Sequence, residues 1–168
     1  NRHGGIIPIG PANVFLDYEV ELAVVIGRGG THVPAERALD HVFGYGLGLD
    51  MTRRDLQGQM KKQGRPWEIG KAFDHSAPMT ELVRASEIGQ PGSGAIWLKV
   101  NGDIRQEGDM NQMIWKVPEM IAYLSRLFEL APGDLIMTGT PSGVGRIVSG
   151  DQLLAEIERV GTLSVRVA

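Results

Sequence analysis

Leu16-Asp17-Tyr18-Glu19-Val20-Glu21-Leu22-Ala23-Val24-Val25-Ile26-Gly27 is the stretch on which the reading of this chain turns. β-Branched and aromatic residues cluster ahead of a glycine, a pattern that predicts a strand. Side chains alternate faces along a strand, so Glu19 and Glu21 point the same way. Two like charges on one face repel, and burial raises the cost. A divalent cation between them would turn that repulsion into a binding site. A solvated strand face with acidic decoration has the same pattern, and on this stretch alone it is the commoner arrangement.

Composition narrows the alternatives. A chain of 168 residues is long enough for one domain with a real core. Its 42% hydrophobic and 22% charged residues are ordinary for a globular protein. A net charge of −3 offers no basic footprint for nucleic acid, and no apolar run reaches the length of a membrane span. The chain has no cysteine, which excludes disulfides and thiolate zinc or iron–sulfur sites. Asn1-Arg2-His3-Gly4-Gly5 has no signal-peptide character. We therefore expect an intracellular, cytoplasmic protein with neither nucleic-acid nor membrane partners.

Outward from the opening strand, Pro34 predicts a helix start running to about Val42. Gly44 to Leu49 predicts a second strand whose glycines allow close backbone approach. Thr52 is placed to cap a helix from Arg53 to about Lys62, ended by Gly64-Arg65-Pro66. Lys71-Ala72-Phe73-Asp74 reads as a short strand or its end. Ala95–Val100 and Asp103–Gln106 flank Asn101-Gly102, a strong hairpin turn. Pro118 opens a helix whose Met120, Ile121, Leu124, Leu127 and Phe128 form a core stripe. Leu135-Ile136-Met137 reads as a short buried strand, and Gln152–Glu158 and Leu163–Val167 as two more. Strands dominate without regular βαβ alternation, so a mixed or antiparallel α+β architecture is expected.

Asp50 ends the second strand, where catalytic side chains are often displayed, although a lone aspartate there is more often a cap or turn residue. Three carboxylates without cysteine favour magnesium or manganese over zinc. Arg54 and Gln57, three apart on a predicted helix, share a face and could reach the same cavity as Asp50, or form a surface pair. Lys71, among small and apolar neighbours, could stabilise a developing enolate or carboxylate charge, or simply snorkel. Thr138-Gly139-Thr140-Pro141-Ser142-Gly143-Val144-Gly145 lacks the ending of a P-loop. Its amides and a threonine hydroxyl could hold a carboxylate or keto oxygen. There is no dinucleotide fingerprint and no Gly-x-Ser-x-Gly elbow, and the histidines show no metal-ligand spacing.

Together these segments, with Phe43-Gly44-Tyr45, Leu49-Asp50-Met51-Thr52-Arg53-Arg54-Asp55-Leu56-Gln57, Gly70-Lys71-Ala72-Phe73-Asp74, Arg105-Gln106 and Pro132–Gly145, resemble the catalytic domain of the fumarylacetoacetate hydrolase family over nearly the whole chain. Met51 to Gln57, followed by Lys61-Lys62 and Gly64-Arg65-Pro66-Trp67-Glu68, looks like its fumarylpyruvate hydrolase branch. The resemblance implies a single catalytic domain over 1–168, a mixed β-roll with a few peripheral helices, and a homodimer. It puts Mg2+, with Mn2+ as the alternative, on Glu19, Glu21 and Asp50. Arg54, Gln57 and Lys71 would act on a keto-acid substrate held by Thr140 and the loop amides, Gly139 among them. Arg65, or one of Lys61 and Lys62, would meet a distal carboxylate.

The implied activity is hydrolysis of a carbon–carbon bond in an acylpyruvate, such as fumarylpyruvate from gentisate-type aromatic breakdown. Oxaloacetate decarboxylation or tautomerisation, dienoate isomerisation or hydration, and a non-catalytic cation-binding module are the rivals. Many family members carry a catalytic His–Glu pair on an N-terminal lid. Asn1 to Asp17 shows no counterpart, His3 lacks the expected surroundings, and the lid is expected outside these residues.

Overall fold

The computed structural model describes residues 5–8 and 15–168, so His3 lies outside the described residues. The described residues form twelve strands in order: β1 Gly5–Ile7, β2 Leu16–Tyr18, β3 Val20–Ile26, β4 Val42–Leu49, β5 Thr52–Arg53, β6 Val83–Arg84, β7 Ala95–Val100, β8 Asp103–Asp109, β9 Leu135–Met137, β10 Gly145–Arg146, β11 Gln152–Ile157 and β12 Gly161–Val167. The α-helices are α1 Arg54–Lys62, α2 Ala85–Ile88 and α3 Val117–Leu127. The strands form three sheets, ordered β1-β12-β11-β7-β8, β10-β2-β5 and β6-β4-β3-β9. Only β1 and β12 run parallel among the described pairs, which makes the architecture mixed, as expected.

Every residue of β3 is buried. Its apolar run is covered on both faces, with β4 and β9 on its edges and the β7-β11-β12 sheet packed against it and β4. The glycines of β4 serve this packing. A Cβ on Gly44 would collide with the Val83 carbonyl of β6, so only glycine lets the two backbones meet.

The opening stretch is two strands rather than one. The chain breaks at Glu19, where β2 leaves the small sheet and β3 enters the larger one. The hairpin at Asn101-Gly102 forms as predicted, both residues having positive φ (52° and 91°) and Val100 facing Asp103. Pairing continues past Gln106 to Asp109, with a bulge at Leu98/Lys99.

Other expectations are corrected. Pro34 precedes a 3-10 helix, Ala35–His41, instead of opening an α-helix. Thr52 does not cap α1; it pairs with Asp17 in β5, and its hydroxyl donates to the Asp50 carbonyl. That ladder holds the backbone extended until Arg54. Lys71 is not on a strand: a 3-10 turn, Glu68–Gly70, ends there, and the Lys71 N–H donates to the Glu68 carbonyl at 2.8 Å. In α3, Ile121 is buried and Leu124 packs against the core, but Leu127 and Phe128 are exposed at 59% and 62%. Val117, Ala122 and Ser125 supply the rest of the buried face. β9 is a half-exposed edge strand, not a buried one.

Candidate active site

The break at Glu19 places it where β2, β3 and the end of β4 meet. The Asp50 N–H donates to the Glu19 carbonyl at 2.8 Å, so the backbones carrying these two carboxylates are joined directly. Glu21 follows two residues later on β3, on the same side as Glu19. One oxygen from each of Glu19, Glu21 and Asp50 lies within 4.8 Å of the others.

Two cationic side chains enter the cluster from the next elements. Arg54, at the start of α1, donates from Nε to Asp17 at 2.8 Å and from Nη2 to Glu19 at 2.5 Å. Its Nη1 donates to Gln57 Oε1 at 2.8 Å, the pairing that three-residue helical spacing allows. Lys71 Nζ donates to Glu19 at 2.8 Å and to Asp50 at 2.5 Å. Gly70 brings it there: it is buried on α1, and a Cβ on it would lie 3.0 Å from the Gln57 Cβ. The sequence reading missed Asp17, whose role is to anchor Arg54 and which carries no signal of its own.

The electrostatics fit a hard divalent cation. Among the described residues, Asp17, Glu19, Glu21 and Asp50 pair only with Arg54 and Lys71, which leaves two negative charges uncompensated when all are ionised. Burial pushes the Glu21 carboxyl up from 4.5 to about 7, against the pull of the Gly139 N–H, with Asp50 and Glu19 adding repulsion. Burial also raises Asp50, despite its bond to Lys71. Burial alone would pull the Lys71 ammonium down, but its bonds to Asp50 and Glu19 outweigh that and hold it above its ordinary value. An all-oxygen, anionic, largely buried donor set suits Mg2+ or Mn2+.

The loop after β9 closes the other side. The Gly139 N–H donates to Glu21 Oε2 at 2.7 Å, and the Thr140 hydroxyl donates to the Val20 carbonyl at 2.8 Å. Both groups, expected to hold substrate, are engaged within the protein. Among the described residues the Thr140 backbone N–H has no acceptor. A cavity of about 550 Å³ opens beside this loop, lined by Gly139, Thr140, Ser142, Met113, Trp115 and Glu107. Arg65 is not brought to the cluster; it is exposed beyond α1. The sequence reading also missed Gln106 as a residue of the site. It is buried, and its side chain reaches both β3 and the loop.

The family model described as fumarylacetoacetate (FAA) hydrolase C-terminal matches residues 1–168. The chain belongs to the fumarylacetoacetate hydrolase family. Its fold agrees: the crystal structure of fumarylpyruvate hydrolase from Pseudomonas aeruginosa in complex with Mn2+ and pyruvate superposes with a TM-score of 0.93 at 50% identity, over 97% of this chain and 74% of that one. A fumarylpyruvate hydrolase of Ralstonia sp is 40% identical over 164 residues, 98% of this chain and 85% of its own length. The mitochondrial oxaloacetate tautomerase of Rattus norvegicus is 45% identical over 152 residues, 90% of this chain and 69% of its own length. Relatives within the fumarylacetoacetate hydrolase family thus include both a hydrolase and a tautomerase.

Proposed function

We propose that residues 1–168 form one catalytic unit that holds a single Mg2+ or Mn2+ on Glu19, Glu21 and Asp50. Its reaction is hydrolysis of the carbon–carbon bond of an acylpyruvate, fumarylpyruvate giving fumarate and pyruvate. The observation that carries this reading is the convergence of the three carboxylates with Lys71, Arg54 and the Gly139–Thr140 loop. The Mn2+ and pyruvate in the Pseudomonas aeruginosa relative support it.

When bound, such an ion polarises the 2-keto oxygen and carboxylate of the pyruvoyl end. Lys71, fixed between Glu19 and Asp50, puts an ammonium where the departing enolate oxygen gains charge. Arg54 orients Glu19, and Gln57 orients Arg54. The Thr140 backbone N–H is the loop's donor to the substrate carboxylate. Water adds at the distal carbonyl, the adjacent carbon–carbon bond breaks, and pyruvate leaves as its enolate and takes up a proton. The family resemblance assigns the base on that water to the His–Glu lid. Arg65, exposed beyond α1 and away from the carboxylate cluster, would meet the distal carboxylate of the substrate. A homodimer covers the exposed apolar face of Ile114, Trp115 and Tyr123 (94%, 48% and 50% exposed).

A second reading, oxaloacetate tautomerisation at the same site, is favoured by the Rattus norvegicus relative. Assaying the Mn2+-loaded protein on fumarylpyruvate and on oxaloacetate separates them. We expect a higher kcat/KM for fumarylpyruvate cleavage; faster oxaloacetate tautomerisation with no cleavage overturns the hydrolase reading in favour of the second.

A further inference from the structure

Gln106 is the anomaly of β8. Most of its neighbours on that strand are exposed or half-buried, whereas Gln106 itself is 0% exposed. A buried carboxamide needs partners for both ends, and here it has them. Its Oε1 accepts the Val20 N–H at 3.0 Å, and its Nε2 donates to Thr140 Oγ1 and to the Pro141 carbonyl, both at 2.8 Å. The orientation of the amide is dictated by those partners. A backbone N–H can only donate and a carbonyl can only accept, so a flipped Gln106 would set like against like at Val20 and at Pro141.

The bonds close into a ring. Thr140 Oγ1 accepts from Gln106 and gives its own proton to the Val20 carbonyl. Both backbone groups of Val20 are therefore held by side chains. The reason lies in the topology: β9 pairs with Ala23, Val24 and Val25 only, and the chain leaves the ladder at Gly139, where φ is 95°. Gln106 and Thr140 stand in for the strand that β9 does not extend far enough to provide. Val20 is the residue between Glu19 and Glu21.

We propose that Gln106 is a positioning residue that locks the peptide between Glu19 and Glu21 to the Thr140–Pro141 segment. One amide thereby sets the spacing between the cation's ligands and the loop that meets the acid's carboxylate. It also fixes the donor pattern of the loop, with the Thr140 hydroxyl proton committed to the Val20 carbonyl and the Thr140 N–H left for the substrate. This rests on the reading of Glu19, Glu21 and Asp50 as metal ligands.

The test compares wild type with Gln106→Leu, which removes both ends of the grip, and Gln106→Glu, which keeps the acceptor for Val20 but loses the donors to the loop. Mn2+ affinity is measured by titration, pyruvate affinity on the Mn2+-loaded protein, and exchange protection of residues 138–142 by hydrogen–deuterium exchange. In Gln106→Leu we expect pyruvate affinity to fall about tenfold or more, Mn2+ affinity to fall by about threefold or more, and loop protection to drop. In Gln106→Glu, pyruvate affinity and loop protection should fall while Mn2+ affinity stays within about twofold. Adding Thr140→Val to Gln106→Leu should lower pyruvate affinity by less than the two single effects combined, because the two side chains share one ring. Unchanged pyruvate affinity and loop protection in both single variants, or full additivity in the double variant, overturns the proposal. If Gln106→Leu does not fold, the near-isosteric Gln106→Glu decides. A wild type that binds no Mn2+ refutes the metal reading instead, and loop protection in the variants then decides the role of Gln106.

Discussion

Lys71 is the side chain whose two roles can be pulled apart. Its ammonium bridges Glu19 and Asp50, so it occupies carboxylates that a cation would use, and in the proposed reaction it would also supply charge to the enolate. Replacing it by methionine keeps the bulk of the chain and deletes the charge. We predict that Lys71→Met lowers kcat by more than about 100-fold, while Mn2+ binds as tightly as in wild type or tighter, because a competing cation is gone. Joint loss of Mn2+ binding and turnover would contradict this division, and a titration alongside steady-state kinetics reads both. What the sequence reveals at this scale is uneven. Strand alternation puts Glu19 and Glu21 on one side, but it reads as well as a solvated acidic face, and only the family resemblance makes them candidate ligands. Asp50, Arg54, Gln57 and Lys71 each have a commonplace surface explanation, and only the family resemblance joins them, because their meeting point is made by tertiary contacts. Gln106 enters only as part of the Arg105-Gln106 segment of the family resemblance, since by itself a glutamine after a hairpin turn reads as solvent-facing.

The loop from Thr138 to Gly145 owes its shape to β8 as much as to its own glycines. Pro141 rests near Gly108, and a Cβ on Gly143 would collide with the Arg105 carbonyl while its φ is 99°. Gly143→Ala is therefore strained twice, by conformation and by backbone contact. A loss of about 1–3 kcal/mol in chemical denaturation is expected, with weakened binding of pyruvate to the Mn2+-loaded protein. A variant as stable as wild type would show that the loop is not clamped to β8. Elements stabilised by local chemistry, such as the Asn101-Gly102 hairpin and the apolar run of β3, are legible in the sequence. Those set by distant partners are not. Thr52 has the look of a helix cap, but pairing with Asp17 holds it extended. Leu127 and Phe128 continue a helical stripe in the sequence, yet the buried face of α3 runs through Val117, Ile121, Ala122 and Ser125 and leaves those two exposed.

The three sheets together bury a cluster whose charges do not balance, and this links folding to pH. Glu21 is 4% exposed, and its carboxyl stands at about 7 in the folded chain against an ordinary 4.5. A carboxyl raised on folding contributes fully below its unfolded value, and that contribution is lost as pH rises through the folded value. At about 1.4 kcal/mol per unit, Glu21 removes on the order of 3 kcal/mol from the metal-free protein between about pH 5 and pH 8. Asp50 is shifted in the same direction. Thermal melts should show Mn2+ raising the midpoint more at about pH 8 than at about pH 5; an equal effect at both would contradict the burial argument. The apolar face around Ile114 and Trp115 predicts a particle of twice 18.3 kDa by sedimentation, and a monomer would leave that face unexplained. The most direct test of the whole account is a Mn2+ titration of wild type beside Glu21→Gln, which removes one anionic ligand at nearly constant shape. One ion per chain in wild type, with affinity reduced by about 100-fold or more in the variant, is the predicted result. Equal binding by the two proteins, or no binding by either, would contradict it.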